Sequence, residues 1–272
     1  MNCRRRATGK TKERRQRAEP TTAHETPGTA PDNVTPIDRP LDPATQLRLK
    51  DGGKRLAQSW VNLPQRKHED ELRPIFESAA STWAGLQQAL SNHAPEQLSK
   101  DLKWMSDNFR LFATSLLDVR GQLKTLRRLP MVRTQKNEEL PRVWFIAWTL
   151  IVETQVQITE RTISAFVSGV EEIDALEDRE LWALSPLLKL ALLVEGAHRG
   201  QQAFAEFASS KPAEQSVRLD RLVGSLKRVS DINGEELLEP LSIVDSILRE
   251  DPAGLYPRMD DESRQRYRGH LC

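Results

Sequence analysis

The chain has 272 residues, which is enough for one helical domain of roughly 200 residues plus an extension. Hydrophobic residues make up 38% of it and charged residues 29%, and the apolar deficit is concentrated in the first 45 positions. Its two cysteines, Cys3 and Cys272, lie at opposite ends, which excludes a disulfide framework and a cysteine metal site and favours a reducing compartment.

The formal net charge of +1 conceals an uneven distribution of charge. Residues 1–18 hold eight Lys or Arg and one Glu, whereas the rest of the chain holds 32 basic and 38 acidic residues. Residues 19–45 are rich in Pro, Thr and Asp, and neither segment has enough apolar side chains to offset the entropy of ordering. We therefore predict a disordered tail over 1–45 and an α-helical domain over 46–272.

The basic N-terminal run has two interpretations. No aromatic residue is interleaved with its basic residues, which favours a solvated extension over a contact with nucleic acid or anionic lipid. No apolar stretch follows the arginines at 4–6, so a secretory signal is not supported. The Gly9-Lys10-Thr11 triplet lacks the upstream glycine and the preceding strand of a phosphate-binding loop.

No apolar run reaches the ~18 residues that are needed to cross a bilayer. Val143–Val152 is only ten residues long, and Leu181–Val194 is interrupted by Ser185, Pro186 and Lys189. We interpret both stretches as buried core helices and expect a cytoplasmic protein.

Apolar residues recur at three- and four-residue steps along most of the first half, which predicts amphipathic helices. A first helix begins near Pro43 and ends before Pro64, with Trp60 on its apolar face. The next two predicted helices are Asp70–Asn92 and Pro95–Leu129. Met131–Glu139 is predicted to be a polar loop.

The second half opens with the most apolar helix, which starts at Pro141 and carries Trp144 and Trp148. Ser185-Pro186 is typical of an N-cap followed by a first-turn proline, so we predict a new helix there, with a kink inside one helix as the alternative. The other predicted helices are Thr159–Asp174, Glu177–Ala183, Leu187–Phe207, Val217–Val229, Glu235–Leu248 (with a restart at Ser242) and Asp261–Arg268 (capped by Asp260). Since no strand-length alternating run is present, the predicted fold class is all-α, a multi-helix domain of about eight to ten helices.

The sequence carries no pattern that indicates catalysis. We find no Asp-x-Asp pair for a sugar nucleotide and its metal, no glycine-rich dinucleotide loop, no Gly-x-Ser-x-Gly turn and no Cys/His metal spacing. His68-Glu69-Asp70-Glu71-Leu72 lacks the second histidine of a zinc-protease motif. His198 is predicted to be a surface or helix-end residue, and the Asp and Glu residues to lie on outer helix faces. We expect no catalytic residue, no cofactor site and no metal site in this chain.

Four stretches of the chain carry motifs of a known family. The clearest, Leu241–Arg268, contains Leu-Arg-x-Asp-Pro-Ala-Gly-x-Tyr, then Met-Asp and Ser-Arg-x-x-Tyr-Arg. The others are Glu180–Leu192, Leu140–Val143 with Phe166-Val167 downstream, and Trp104 with Asp107-Asn108-Phe109. Together, from about 104 to 268, they resemble the N-terminal region of the cyclic β-1,2-glucan synthase family. Residues 1–95 show no such resemblance, Ile243 replaces a frequent proline, and Gly269–Cys272 departs from the family.

The resemblance implies a helical cytoplasmic scaffold that precedes the membrane part of a large bacterial glycosyltransferase. That family polymerises glucose from UDP-glucose, and a phosphorylase-like module trims the glucan. These parts follow the region matched here, so none of their catalytic residues has a counterpart in this chain. The implied partners are the membrane-bound glucan synthase machinery or another protein at the inner membrane face, and nucleic acid is not favoured.

The Asp-Pro-Ala-Gly turn suggests a docking surface. We predict that its residues would be Asp251, Tyr256, Arg258, Arg264 and Arg268, although a plain helix stop followed by a cap is the favoured reading of the same stretch. Two functional hypotheses follow. The first is a non-catalytic scaffold segment of a glucan synthase-like protein. The alternative is a stand-alone helical interaction protein whose basic tail binds nucleic acid or anionic lipid.

Overall fold

The structure is a computed structural model that describes residues 40–64, 71–209, 219–232 and 243–260, together with 263, 264, 266 and 267. The predicted disordered tail lies outside these residues up to position 39. The first helix begins at Pro43, where the Asp42 carboxylate accepts a hydrogen bond from the Thr45 N–H at 2.9 Å and so caps it. Predictions for residues 233–242, for Arg268 and for Gly269–Cys272 also fall outside the described part of the chain.

Within the described residues the fold consists of nine α-helices and one small sheet, which confirms the predicted all-α class. In chain order the elements are α1 Pro43–Gln58, β1 Trp60–Asn62, α2 Leu72–Ser91, α3 Lys100–Asp107, α4 Phe109–Gln122, β2 Met131–Thr134, β3 Glu139–Pro141, α5 Arg142–Glu153, α6 Glu160–Glu171, α7 Asp178–Ala208, α8 Leu219–Asp231 and α9 Ile243–Arg249. Short 3₁₀ turns lie at Pro95–Gln97, Thr125–Arg128 and Tyr256–Arg258.

The 31-residue helix α7 is the centre of the core, and α2, α3, α4, α5 and α8 all pack on it. The prediction of a new helix at Pro186 is wrong, because α7 continues through this proline. The Ser185 hydroxyl does not cap a helix but donates to the Val229 carbonyl of α8 at 3.3 Å. Burial of the leucines that follow Pro186 offsets the helical hydrogen bond that a proline cannot make.

By length and composition alone, α7 could also cross a membrane. However, 67% of its most apolar window is buried inside the protein. That burial is typical of the core helix of a globular domain, as the sequence predicted for Leu181–Val194.

A small antiparallel sheet corrects two predictions. Residues 131–141 form the hairpin β2–β3 and not a polar loop, and Trp60 lies in β1, beyond the end of α1. The strand order is β1-β2-β3, with Val61 opposite Arg133 and Val132 opposite Leu140. Strands of three or four residues are too short to show the alternation by which a strand is recognised in a sequence.

The predicted helix Pro95–Leu129 is divided into α3 and α4, flanked by two 3₁₀ turns. The break occurs at Asn108, whose side-chain amide donates to the Trp104 carbonyl at 2.8 Å and so satisfies an acceptor at the end of α3. The apolar stripe was nevertheless correctly placed, since these of its residues are buried: Leu102, Met105, Phe112, Val119, Leu123 and Leu126.

Helices α1 and α6 approach each other so closely that glycine is required at the contact. A Cβ atom on Gly53 would lie 2.1 Å from the Phe166 carbonyl oxygen, and one on Gly169 would lie 1.9 Å from the Lys50 carbonyl oxygen. Lys50 and Lys54 of α1 both form ion pairs with Glu172 at the end of α6, the latter at 2.6 Å, and Arg48 pairs with Glu153 of α5 at 2.6 Å. The first helix is therefore held against α6 by backbone contact as well as by side chains.

Replacing Gly53 with Ala should destabilise the protein by about 1–3 kcal/mol, because the new methyl group would force α1 away from α6. The matched control is Gly85→Ala in α2, where an added Cβ meets nothing within 4 Å. That change should leave stability unchanged or raise it by up to about 1 kcal/mol. Urea unfolding of both variants measures the difference, and equal midpoints would contradict the close packing of α1 on α6.

Candidate functional site

A cluster of opposite charges is buried where α5 begins, α6 ends and α7 begins. Arg142 is the first residue of α5 and Glu180 lies in the first turn of α7. Glu171 is the last residue of α6, and Asp174 follows in the loop. The Arg142 side chain is 6% exposed and that of Glu180 is 0% exposed, so the charges of this pair are removed from water.

The Arg142 guanidinium donates two parallel hydrogen bonds to the Glu180 carboxylate. Nε donates to one carboxylate oxygen at 2.6 Å and Nη2 to the other at 2.5 Å. Nη2 also donates to the Ala175 carbonyl at 2.8 Å. Burial alone would lower the pKa of Arg142, but the hydrogen bonds and charges of Glu180 and Asp174 outweigh it and raise that pKa, so the guanidinium stays charged. Burial raises the pKa of Glu180, and Arg142 opposes that shift.

Asp174 extends the cluster to the sheet. One of its carboxylate oxygens lies 2.8 Å from Arg142 Nη1. The other accepts hydrogen bonds from the Trp60 indole N–H at 3.0 Å and the Asn62 amide at 3.1 Å. Partial burial would raise the pKa of Asp174, but the hydrogen bonds from Trp60 and Asn62, together with Arg142, hold it below its ordinary value. The same guanidinium therefore connects β1, α5 and α7.

Glu171 is the carboxyl group of the cluster with the fewest hydrogen bonds. Its Oε1 accepts a hydrogen bond from the Leu176 N–H at 3.2 Å, whereas the buried Oε2 has no hydrogen-bond partner among the described residues. Burial raises the pKa of Glu171 to about 7, and the Leu176 N–H and the Arg142 charge only partly oppose it. Three carboxyl groups thus surround one guanidinium, and Glu171 is the one that most readily holds a proton.

The geometry of this cluster indicates a structural role and not catalysis. Its strongest hydrogen bonds join its own members, and the Arg142–Glu180 pair has no exposed face from which to meet a substrate. Among the described residues no group of three or more His, Cys, Asp or Glu side chains has the arrangement needed to hold a metal ion. The cluster fixes the relative positions of the elements that it joins.

The prediction that the acidic residues lie on outer helix faces is wrong for three of the described residues. Glu171, Glu180 and Asp245 are all buried. Both Arg142 and Glu180 belong to stretches that carry the family resemblance, Leu140–Val143 and Glu180–Leu192. Their positions at helix starts were visible in the sequence, but no local pattern indicated that the two side chains meet.

A second buried contact lies in the C-terminal stretch. The Tyr256 hydroxyl donates to Asp245 Oδ1 of α9 at 2.7 Å, and the other oxygen of that carboxylate accepts from Arg249. Asp251 folds the intervening turn, since its carboxylate accepts the Ala253 N–H at 3.0 Å and the Leu255 N–H at 3.1 Å. These backbone hydrogen bonds hold the pKa of Asp251 below its ordinary value. The Asp-Pro-Ala-Gly sequence therefore turns the chain so that Tyr256 reaches α9.

The residues of the predicted docking surface have different environments. Arg258 is exposed, Arg264 and Asp251 are half-buried, and Tyr256 is only 2% exposed, so its ring belongs to the interior. Arg268 lies outside the described residues. Two exposed apolar residues of the same stretch, Ile247 and Leu255, were not predicted. Asp260 accepts the Ser263 N–H at 2.8 Å, which confirms that it caps the following turn.

A groove of about 450 Å³ runs between α2 and α7. His198 is exposed along it, which confirms the predicted surface position, although the residue lies within α7 and not at a helix end. The residues that line the groove are Pro74, Ile75, Ser78, Ala79, Thr82, Val194, Ala197, His198 and Gln201. No second ionisable side chain is among these lining residues, so they hold no pair of groups for acid–base chemistry.

Part of the chain is similar in sequence to a bacterial enzyme. Over 130 residues the chain is 25% identical to the cyclic β-(1,2)-glucan synthase NdvB of Rhizobium meliloti (strain 1021). The matched segment is 47% of this chain and only 4% of the synthase. The chain matches no protein-family model. This similarity indicates a distant relationship to one segment of a glucan synthase.

Removing one partner of the buried Arg142–Glu180 pair should lower the free energy of unfolding. Glu180→Ala leaves the Arg142 charge buried without its main partner, and we expect a loss of about 3–5 kcal/mol in the free energy of unfolding. The matched control is Glu139→Ala, which removes the exposed partner of Arg133 and should cost less than about 1 kcal/mol. The double variant Arg142→Met/Glu180→Leu should recover part of the loss, because it removes both charges of the pair, while Asp174 keeps its hydrogen bonds from Trp60 and Asn62. Urea unfolding measures all three, and a Glu180→Ala protein as stable as the control would contradict a structural role for the pair.

Glu171 should make stability depend on pH. Its folded-state pKa of about 7 lies above its ordinary value of 4.5, so the folded protein binds the extra proton between these two values. The stability that protonated Glu171 supplies below about pH 4.5 is lost as the pH rises through 7. Glu171→Gln retains an acceptor for the Leu176 N–H and should raise stability by about 1–2 kcal/mol at pH 8 but leave it unchanged at pH 4.

The control for this pH effect is Glu250→Gln, which removes an exposed carboxylate. Unfolding midpoints measured from pH 4 to pH 8 should then follow the wild-type curve. If the Glu171→Gln curve also parallels the wild type over this range, Glu171 is ionised in the folded protein throughout and the burial argument fails.

Proposed function

We propose that this chain is a non-catalytic helical scaffold related to a segment of cyclic β-1,2-glucan synthases, and that it supports a glucan-forming apparatus by packing against it. The observation that carries the proposal is the Arg142–Glu180 pair, because it joins two of the stretches that resemble the synthase family. The similarity to NdvB supports the same assignment from outside the structure.

The stretches that resemble the synthase family supply residues that hold the helices of the domain together. Leu140–Val143 supplies Arg142, and Glu180–Leu192 supplies Glu180 and the buried leucines of α7. The C-terminal stretch supplies the contact between Tyr256 and Asp245. Side chains with these roles position helices, and they do not act on a substrate.

The docking surface that we propose is the exposed part of the C-terminal stretch. Ile247 and Leu255 are about three-fifths exposed and lie close in sequence to the exposed Arg258. The contact between Tyr256 and Asp245 holds this stretch in place from beneath. An apolar surface with a basic rim that rests on a fixed base suits contact with another protein domain.

Two measurements on the 272-residue chain test the proposal. The purified chain incubated with UDP-glucose should form no glucan, and turnover proportional to its concentration would overturn the non-catalytic assignment. Separately, the Rhizobium meliloti synthase lacking the segment that this chain matches should regain glucan synthesis when the chain is co-expressed. Failure of a folded chain to restore any synthesis would contradict the scaffold role.

The same complementation assay tests the docking surface. Leu255→Ser/Arg258→Gln should lower the restored glucan yield severalfold. The matched control, Leu47→Ser/Arg110→Gln, also removes one exposed leucine and one exposed arginine, but from α1 and α4. Equal yields from the two variants would place the docking surface elsewhere on the domain.

The alternative function, a stand-alone interaction protein, rests on the excess of basic residues over 1–18. Deleting residues 1–39 tests it and leaves the Asp42 cap of α1 in place. Under this alternative the deletion abolishes salt-sensitive binding to polynucleotide or anionic vesicles, whereas complementation of the synthase should survive it.

A further inference from the structure

The outer side of α4 and of the 3₁₀ turn that follows is unusually basic. Arg120, Lys124, Arg127 and Arg128 are all exposed. From Val119 to Asn137 the chain has six Lys or Arg and no acidic residue. This concentration stands out because the chain beyond residue 18 holds fewer basic than acidic residues. We call Leu117 and these four basic residues the basic face.

The backbone places these residues on one side of the domain. Leu123 and Lys124 keep helical dihedral angles, so α4 runs into the turn without a change of direction. Members of the basic face recur at steps of three and four residues, as the exposed side of a helix requires. The opposite side is buried, and its residues are Phe112, Val119, Leu123 and Leu126.

Most of the positive charge of the basic face is not balanced by ion pairs within the described residues. Some bases on other helices do have acidic partners, as Arg48 has Glu153 and Lys54 has Glu172. In the described part of the chain, no carboxylate lies within ion-pair distance of Arg120, Lys124 or Arg128. The acid closest in sequence, Asp118, lies 3.7 Å from Lys189 of α7. Unpaired bases concentrated on one face provide charge complementarity to an extended anionic surface.

Two further features of the face identify the kind of surface. Leu117 is 66% exposed on the same side as the bases. Gly121 lies between them, and a Cβ atom there would meet nothing within 4 Å, so the helix backbone is open to a close approach. No aromatic side chain lies between 113 and 128, so the face has no residue on which a base could stack. An apolar side chain among long basic ones suits the headgroup region of a bilayer, where the bases reach phosphates and the leucine reaches acyl chains.

We propose that the basic face binds the phosphate headgroups of an anionic lipid surface, with α4 lying along the bilayer. This binding is independent of any relationship to glucan synthases. It gives the domain a second contact, since the face on α4 is formed by a different element from the C-terminal stretch. The orientation of the domain on the membrane then follows from the side on which α4 lies.

Sedimentation of the full-length protein with lipid vesicles tests this inference. The vesicles are phosphatidylcholine alone or phosphatidylcholine with about 30% phosphatidylglycerol, which supplies the negative surface potential. The face variant is Arg120→Gln/Lys124→Gln/Arg128→Gln. Its matched control is Lys100→Gln/Lys103→Gln/Lys227→Gln, which removes the same charge from exposed lysines of α3 and α8. Every variant keeps the basic N-terminal segment, so the comparison reports on the face alone.

The face variant should bind the anionic vesicles about 10-fold or more weakly than wild type, and the control within about 2-fold of it. Leu117→Ser should also weaken vesicle binding severalfold and leave binding to duplex DNA unchanged, because only a bilayer offers an apolar layer. All of these residues are exposed, and circular dichroism confirms that the variants are folded.

Two results would overturn the inference. The first is equal vesicle binding by the face variant and the control, because then only total charge matters. The second is a Leu117→Ser protein that binds vesicles like wild type while the face variant loses binding to duplex DNA, since that assigns the face to nucleic acid. Neither result bears on the complementation assay, so this inference and the scaffold proposal fail independently.

Discussion

The ion pair between Arg142 and Glu180 is the contact on which the arrangement of the helices depends. Burying two charges costs their hydration free energy, and their mutual attraction offsets this cost only when the geometry is good. Here the two parallel hydrogen bonds from the guanidinium provide that geometry. Hydrophobic packing between α5 and α7 is not directional, because leucines fit together in several registers. The pair has a single satisfied geometry, so it selects one position of α5 on α7. Asp174 transmits that choice to β1 through Trp60 and Asn62.

The rest of the fold is built outward from this junction by contacts of different kinds. The glycines of α1 and α6 let two backbones touch, which fixes α1 on a helix whose last residue, Glu171, belongs to the charge cluster. Ser225 of α8 fixes the chain that follows the other end of α5. Its hydroxyl accepts the Ile158 N–H at 2.9 Å and donates to the Val156 carbonyl. Val156 has a φ of 67°, an unusual conformation for a β-branched residue, and this hydrogen-bonded contact holds it there. Polar contacts thus define the ends of helices whose lengths are defined by apolar packing.

The sequence predicts the parts of this fold that depend on local pattern. The apolar period places α2 and α6 within a few residues of their ends, and Pro141 indicates the start of α5. Local sequence pattern does not predict the features that depend on contacts between residues distant in sequence. Nothing near Pro186 shows that buried leucines will hold α7 continuous, and three-residue strands have no pattern of their own. Arg142 and Glu180 are 38 residues apart, so their meeting depends on the path of the intervening helix α6. The turn at Asp251 was predicted from the sequence, but only the structure separates the buried Tyr256 from the exposed Leu255.

The division between inner and outer residues bears on what 25% identity to a synthase segment means for this chain. A buried pair such as Tyr256 and Asp245 tolerates few replacements, because either change leaves a polar group without a partner. Exposed residues such as Leu117 and Arg120 have no such constraint from folding. A common architecture therefore depends on the inner contacts, whereas the outer faces determine what a domain binds. On this reasoning the basic face of α4 is a property of this chain, and it has to be tested on this chain and not inferred from NdvB.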